Sequence, residues 1–237
     1  MKNISAFILC LFFSVFLSLN VSAQKKSKKD YIITISTSYG DMKLVLYDET
    51  PKHKANFLKL VKKHFYDSLL FHRVINNFMI QGGDPNSKKA KPGEPLGEGD
   101  VGYTIPAEFN EKLFHKKGAL AAARDNNPQK ASSGCQFYIV QGKKFTDAMF
   151  PNAEKRSGRT IPEDQKEVYR TIGGAPHLDL NYTVYGEVID GLDVIDKLIV
   201  RPTDKQDRPI DDIKMKVSAE KMSKKKIKKL YNYTFPN

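Results

Sequence analysis

Residues 71–84 read Phe-His-Arg-Val-Ile-Asn-Asn-Phe-Met-Ile-Gln-Gly-Gly-Asp, and no other stretch constrains the chain so tightly. Arg73 lies in an otherwise apolar run, flanked by Phe71, Val74 and Ile75 and followed by Phe78, Met79 and Ile80. The single amide Gln81 and a Gly82-Gly83 turn close the stretch. Alternation along a strand predicts Phe71 and Arg73 on one face, with His72 and Val74 on the other. A guanidinium cannot be neutralised and must find acceptors, so its place beside so much apolar surface needs a reason. Either its stem covers the edge of a core while its head reaches water, or a site is built around it. The stretch alone leaves these readings even.

The rest of the pattern is mainly β. Residues 31–36 and 42–47 alternate or run β-branched around the turn signal Tyr39-Gly40-Asp41, which predicts a hairpin. Thr50-Pro51 opens an amphipathic helix over residues 52–65, with Ala55, Leu58, Val61 and Phe65 as its apolar face. Residues 85–102, rich in glycine and proline, predict an exposed loop. Its Gly97-Glu98-Gly99-Asp100-Val101-Gly102 has no strand before it and no helix after it, which argues against a nucleotide site. Residues 118–123, 135–140, 183–188 and 213–217 read as strands. Leu192, Ile195, Leu198 and Ile199 form one face of a last helix. Between them, residues 143–174 form a longer connection, with a helical pattern from Thr160-Ile161-Pro162-Glu163 through Val168 and Tyr169 to Gly173-Gly174. Short strands with two main helices predict a closed β-barrel capped by helices.

The ends differ from the middle. Lys2, an apolar run over residues 4–19 broken only by three serines, and Val21-Ser22-Ala23 make a secretory signal pattern with cleavage near Ala23-Gln24. The run is shorter than the ~20 residues of a spanning helix. Cys10 lies in mid-run, which argues against lipidation. The chain reads as residues 1–23 signal peptide, 24–30 basic linker, 31–218 folded domain and 219–237 lysine-rich tail. The predicted location is outside the cytoplasm, periplasmic if the source is Gram-negative. Cys135 is then the only remaining cysteine, so no internal disulfide forms, and a small buried residue on a strand is expected. Net charge is +12, concentrated at Lys25, Lys26, Lys28 and Lys29 and from Lys214 to Lys229. A solvated tail and a weak contact with an anionic surface both fit. Poor interleaving with arginine and aromatics predicts no specific nucleic-acid partner. His53 and His64 are eleven residues apart, not the three or four that align ligands on a helix, so no metal site is expected even with His72 nearby. A monomer is expected.

Three blocks carry a family resemblance. The first is Phe71-His72-Arg73-Val74-Ile75 with Phe78-Met79-Ile80-Gln81-Gly82-Gly83-Asp84. The second is Gly118-Ala119-Leu120-Ala121-Ala122-Ala123-Arg124 with Ser133-Gly134-Cys135-Gln136-Phe137-Tyr138-Ile139. The third is Leu178-Asp179 with Thr183-Val184-Tyr185-Gly186-Glu187-Val188 and Gly191-Leu192-Asp193-Val194-Ile195. In this order they resemble the cyclophilins, peptidyl-prolyl cis-trans isomerases of exported bacterial type, from about Tyr31 to about Val217. The resemblance implies an eight-stranded antiparallel barrel with a helix at each end, and makes residues 143–174 an insertion. It implies catalysis by Arg73, a proline pocket of Phe78, Met79, Tyr138 and Leu178, backbone orientation by Gln81, peptide pairing at Ala123-Arg124, and substrate contacts at Gln136 and Tyr182. It implies no cofactor, and proline-containing unfolded or extended polypeptides as partners. The alternative in another class is a chaperone-like binder of such segments with little or no catalysis. The chain departs from the family at Tyr138 (usually Phe), Tyr182 (commonly His), Arg124 (Asn in eukaryotic members) and His177 (Trp in drug-sensitive members).

Overall fold

The structure, a computed structural model, describes residues 27–235. The signal pattern, its cleavage site and Lys25-Lys26 lie outside the described residues. Strands β1 (Lys29–Thr37) and β2 (Gly40–Leu46) form the expected hairpin, with Ile33 opposite Leu44 and Thr37 opposite Gly40. Helix α1 follows (Pro51–Lys62), with proline at its start. Thr50 makes no side-chain cap; the Glu108 carboxylate instead accepts the N–H groups of Lys52 and His53, each at 3.0 Å, where the helix dipole favours an anion. The inward face is His53, Phe57, Leu58, Leu60 and Val61, whereas the predicted Ala55 is exposed. The helix stops three residues early because His64 turns left-handed (φ 55°). His64 N–H then bonds the Val61 carbonyl and Phe65 N–H that of Leu60, a Schellman closure without glycine.

Strands β3 (Phe71–Ile75), β4 (Met79–Gly82), β5 (Thr104–Ile105), β6 (Ala119–Ala122), β7 (Ser132–Ser133) and β8 (Phe137–Val140) come next. Helices α2 (Phe150–Ser157) and α3 (Glu163–Thr171) occupy the insertion. Then follow β9 (Val184–Asp190), α4 (Leu192–Ile199), β10 (Lys216–Ser223) and α5 (Lys224–Tyr231). Eight strands form one antiparallel sheet in the order β10-β1-β2-β9-β6-β8-β4-β3, while β5 and β7 pair separately. The predicted closed barrel is a curled sheet whose edges, β10 and β3, do not form a ladder. The seam is a single bridge, Leu70 to Lys214, helped by Phe71 N–H to the Ile213 carbonyl and Met215 N–H to that of Leu69.

Strand alternation gives the sheet two working faces. Ile80, Leu120, Phe137 and Ile139 point into the curl with Phe57, Tyr66, Phe71 and Tyr185, beneath α1 and the buried face of α4. Met79, Ala119, Ala121, Tyr138 and Val140 point outward and form a second apolar cluster with Tyr47, Ala175 and Val184. Cys135 is buried just ahead of β8, not within it, and burial pushes its thiol up to about 11.

The lysine-rich segment beyond residue 218 is part of the fold as far as α5. β10 runs on to Ser223, opposite Lys29, and Ser223 caps α5 by accepting from Lys226 N–H. Ile227 is buried with Ile32, Val45 and Met222, while Lys225, Lys226, Lys228 and Lys229 stay exposed. The insertion holds two helices where one is predicted. α2 spans only two turns and shows a weak pattern in sequence. Phe145, Phe150, Ala153, Ile161 and Tyr169 give the insertion its own small core.

Candidate active site

Strict alternation fails at His72. Phe71 lies opposite Gly82 and Arg73 opposite Gln81, so two residues of β3 face one step of β4 and His72 is the extra residue of a β-bulge. The bulge separates the two residues that alternation placed together. Phe71 enters the core, while Arg73 turns out onto the opposite face with its side chain 44% exposed. Asp207 stands beside it, Arg73 Nε to Asp207 Oδ2 being 3.6 Å. The Asp207 carbonyl accepts Val74 N–H at 2.8 Å, which fixes this turn to β3. His72 itself is buried, both ring nitrogens lack partners among the described residues, and burial lowers its pKa to about 4.

The outward face of β4, β6 and β8 bears a cavity of about 220 Å³. Its walls are Arg73, Phe78, Met79, Gln81, Ala123, Arg124, Tyr138, Leu178 and Tyr182, drawn from four regions of the chain. Every predicted site residue lines it except Gln136. That side chain accepts from Gln81 Nε2 at 3.0 Å and donates to the Gly97 and Gly99 carbonyls at 2.7 and 2.8 Å. It therefore lines an adjoining groove of about 540 Å³ between the 97–104 loop and Ala123–Ser133. At the β6 end, Ala123 N–H already bonds the Gln136 carbonyl and its carbonyl accepts Ser133 N–H. The Ala123 backbone is thus satisfied within the fold, on both its N–H and its carbonyl. The Arg124 guanidinium is tied down, with Nε donating to the Asn181 carbonyl at 2.9 Å and Cζ lying 4.6 Å from the Tyr182 ring centre.

Tyr138 needs a partner for its hydroxyl, since burial holds this phenol well above its usual pKa and protonated. The partner is His115 Nε2 at 2.9 Å. His115 Nδ1 meets Asp179 Oδ1 at 2.9 Å, and Asp179 Oδ2 accepts from Tyr169 of α3 at 2.8 Å. With Nδ1 donating to the carboxylate, Nε2 is left to accept the phenol proton. A buried polar chain thus runs from the cavity floor into the insertion. His115 has no local signal in the sequence, because its partners lie 23 and 64 residues away.

The curled sheet thus carries on its outward face an open cavity floored by Met79 and Tyr138 and rimmed by Arg73 and Arg124. The sequence family described as cyclophilin type peptidyl-prolyl cis-trans isomerase/CLD matches residues 32–219. A protein named as a peptidyl-prolyl cis-trans isomerase from Staphylococcus saprophyticus is 34% identical over 182 residues, 76% of this chain and 87% of that protein. One named as a bifunctional phosphatase/peptidyl-prolyl cis-trans isomerase from Streptococcus pyogenes is 39% identical over 185 residues, and this chain spans 37% of its length. A Cryptosporidium parvum cyclophilin type isomerase superposes with a TM-score of 0.61 at 26% identity, covering 81% of this chain and 98% of that one. Its structure in the presence of the dipeptide Ala-Pro gives 0.57. The chain belongs to the cyclophilin-type peptidyl-prolyl cis-trans isomerases.

Proposed function

We propose that this isomerase accelerates rotation about Xaa-Pro bonds in exported proteins, and that Arg73 stabilises the twisted amide. The reading rests above all on one observation, the meeting of Arg73 with Phe78, Met79, Gln81, Tyr138 and Leu178 around one cavity. Rotation faces a barrier of about 20 kcal/mol, and no bond is broken. Twisting removes amide resonance and returns a lone pair to the proline nitrogen. A fixed N–H donor facing that nitrogen is engaged mainly in the transition state, which is the condition for raising rate as well as affinity. Arg73 carries such donors at every accessible pH. Met79 and Tyr138, both buried, and half-exposed Phe78 and Leu178 offer an apolar seat for the pyrrolidine ring. The cavity is open, so water is excluded from Arg73 only when the ring covers it, and the guanidinium interaction then strengthens. An acceleration of about 10⁵ needs roughly 7 kcal/mol in total.

Purified mature protein should speed cis-trans exchange of an Ala-Pro peptide, read by NMR exchange. Arg73→Ala should lose about ten-fold or more in kcat/KM, equivalent to ~1.4 kcal/mol, while its circular dichroism stays native. Unchanged activity in that variant would remove Arg73 from the mechanism. Export is proposed from Lys2, the apolar run and Val21-Ser22-Ala23. Mass spectrometry of material outside the cytoplasm should find an N-terminus at or near Gln24, and a soluble product retaining Met1 would contradict it.

A further inference from the structure

The insertion does more than lengthen the chain. It walls a groove of about 690 Å³ that opens beside the proline cavity and shares Phe78 and Leu178 with it. Phe145, Ala148, Met149 and Ala153 give the groove an apolar wall, and Met149 can adapt to different side chains. Lys143 and Arg156 also line it, and no carboxylate does. Arg170 pairs with Asp147 and Glu163, Lys166 with Glu154, and Lys117 with Asp196, and none of these ions lines the groove. Among the described residues Lys143 and Arg156 have no such carboxylate within 4.0 Å. Their field reaches into the groove. His177, whose ring lies 5.7 Å from that of Phe78, has its pKa lowered to about 4, first by burial, then by Arg156, with a smaller push from Lys143.

We propose that this groove holds the stretch of substrate next to the proline, and selects a bulky apolar side chain accompanied by an Asp or Glu. The inference rests on the isomerase reading above. Continuity names the occupant: a chain whose proline sits against Phe78 and Leu178 must carry one of its flanks over the groove that shares those walls. At about 3.3 Å per extended residue, two or three residues reach across it. The charge of the rim names the chemistry, because two unpaired cations over an apolar wall favour an apolar side chain beside an anion.

The test uses a neutral Ala-Pro peptide and versions extended by Leu-Glu, Leu-Gln or Leu-Lys, before the proline in one set and after it in another. Exchange is measured by NMR at low ionic strength. On one flank, the Leu-Glu peptide should show a KM about 5-fold below that of Leu-Lys with kcat nearly equal, as two partly exposed ion pairs allow. The difference should shrink in 0.5 M salt, where screening acts over about 4 Å. Charge reversal by Lys143→Glu with Arg156→Glu should reverse the Glu-to-Lys ratio of KM. Both side chains are exposed, and an unchanged thermal midpoint checks the fold. If the neutral peptide is turned over yet no set discriminates by charge, or reversal leaves the ratio as it was, the groove is not a subsite. If even the neutral peptide is not turned over, the isomerase reading itself fails.

Discussion

The two flanks of the proline cavity are built on opposite principles. On one side the loop over residues 91–104 touches the main core through Val101 and is otherwise held by a few convergent polar groups. Buried Asp84 accepts the N–H groups of Asn86 and Gly97, Gln136 donates to two loop carbonyls, and buried Arg208 donates to the Lys91 and Glu94 carbonyls. A Cβ on Gly99 would come within 2.0 Å of Asp84 Oδ1, so glycine there is a condition of the close approach. On the other side the insertion is held by volume, through Phe145, Phe150, Ala153, Ile161 and Tyr169. Directional bonds fix a backbone with few atoms, and each lost bond strands a partner. A small core tolerates imperfect contacts but needs its large side chains. The flanks should therefore fail in different ways.

The largest effect is expected at Asp179, where the insertion meets the cavity floor. It is fully buried and serves His115 N–H, His115 Nδ1 and Tyr169, with Arg159 Nη1 3.9 Å away. Asp179→Ala strands these groups and should cost about 3–5 kcal/mol, read as a lower denaturant midpoint. It should also raise KM for proline peptides, because Tyr138 loses its oriented partner. A loss below 1 kcal/mol would show that the polar chain does not join the two parts.

Phe150→Ala comes next and tests the insertion flank alone. Removing this ring, 2% exposed, should cost about 3 kcal/mol. Hydrogen exchange should rise in α2 and α3, while β1, β2 and α1 keep their protection. Equal loosening across the sheet would mean that the insertion and the curled sheet fold as one unit.

How much of this was legible in the sequence follows from the range of the interactions. Arg73, Phe78, Met79, Gln81, Tyr138 and Leu178 stand in short blocks whose order reproduces a family pattern, and the structure brings them to one cavity. Strand periodicity found the hairpin and most of the sheet, because alternation is a local property. It misplaced Phe71 relative to Arg73 because a bulge is a mismatch between two strands, invisible in either one alone. It missed His115, Glu108 and Asp207, whose partners are remote in sequence. α5 was hidden by its lysines. Ile227 and Tyr231 pack on the sheet, but the surrounding charge reads as a solvated tail.

The smallest expected effect separates the flanks by pH and salt. His72 backs the loop flank and His177 the insertion flank, and both have a pKa near 4 against an ordinary value of 6.5. In each case the unfolded chain takes up the proton first as pH falls. Stability is therefore lost between about pH 6.5 and pH 4 and does not fall further from this source below pH 4. For His72, 3% exposed, the loss should be on the order of 2 kcal/mol, and His72→Gln should flatten the denaturant midpoint across this window. The causes then divide the pair. For His72 burial dominates and the charges around it oppose one another, Asp84 raising against Arg73 and Arg208 lowering, so salt should leave it nearly fixed. For His177 Arg156, His115 and Lys143 all lower the pKa on top of burial and only Asp179 raises it, so 0.5 M salt should raise its pKa by a few tenths of a unit through screening. NMR titration of the two imidazoles at low and high salt reads both numbers. If His177 proves as indifferent to salt as His72, the cations on the insertion flank do not act on the cavity wall.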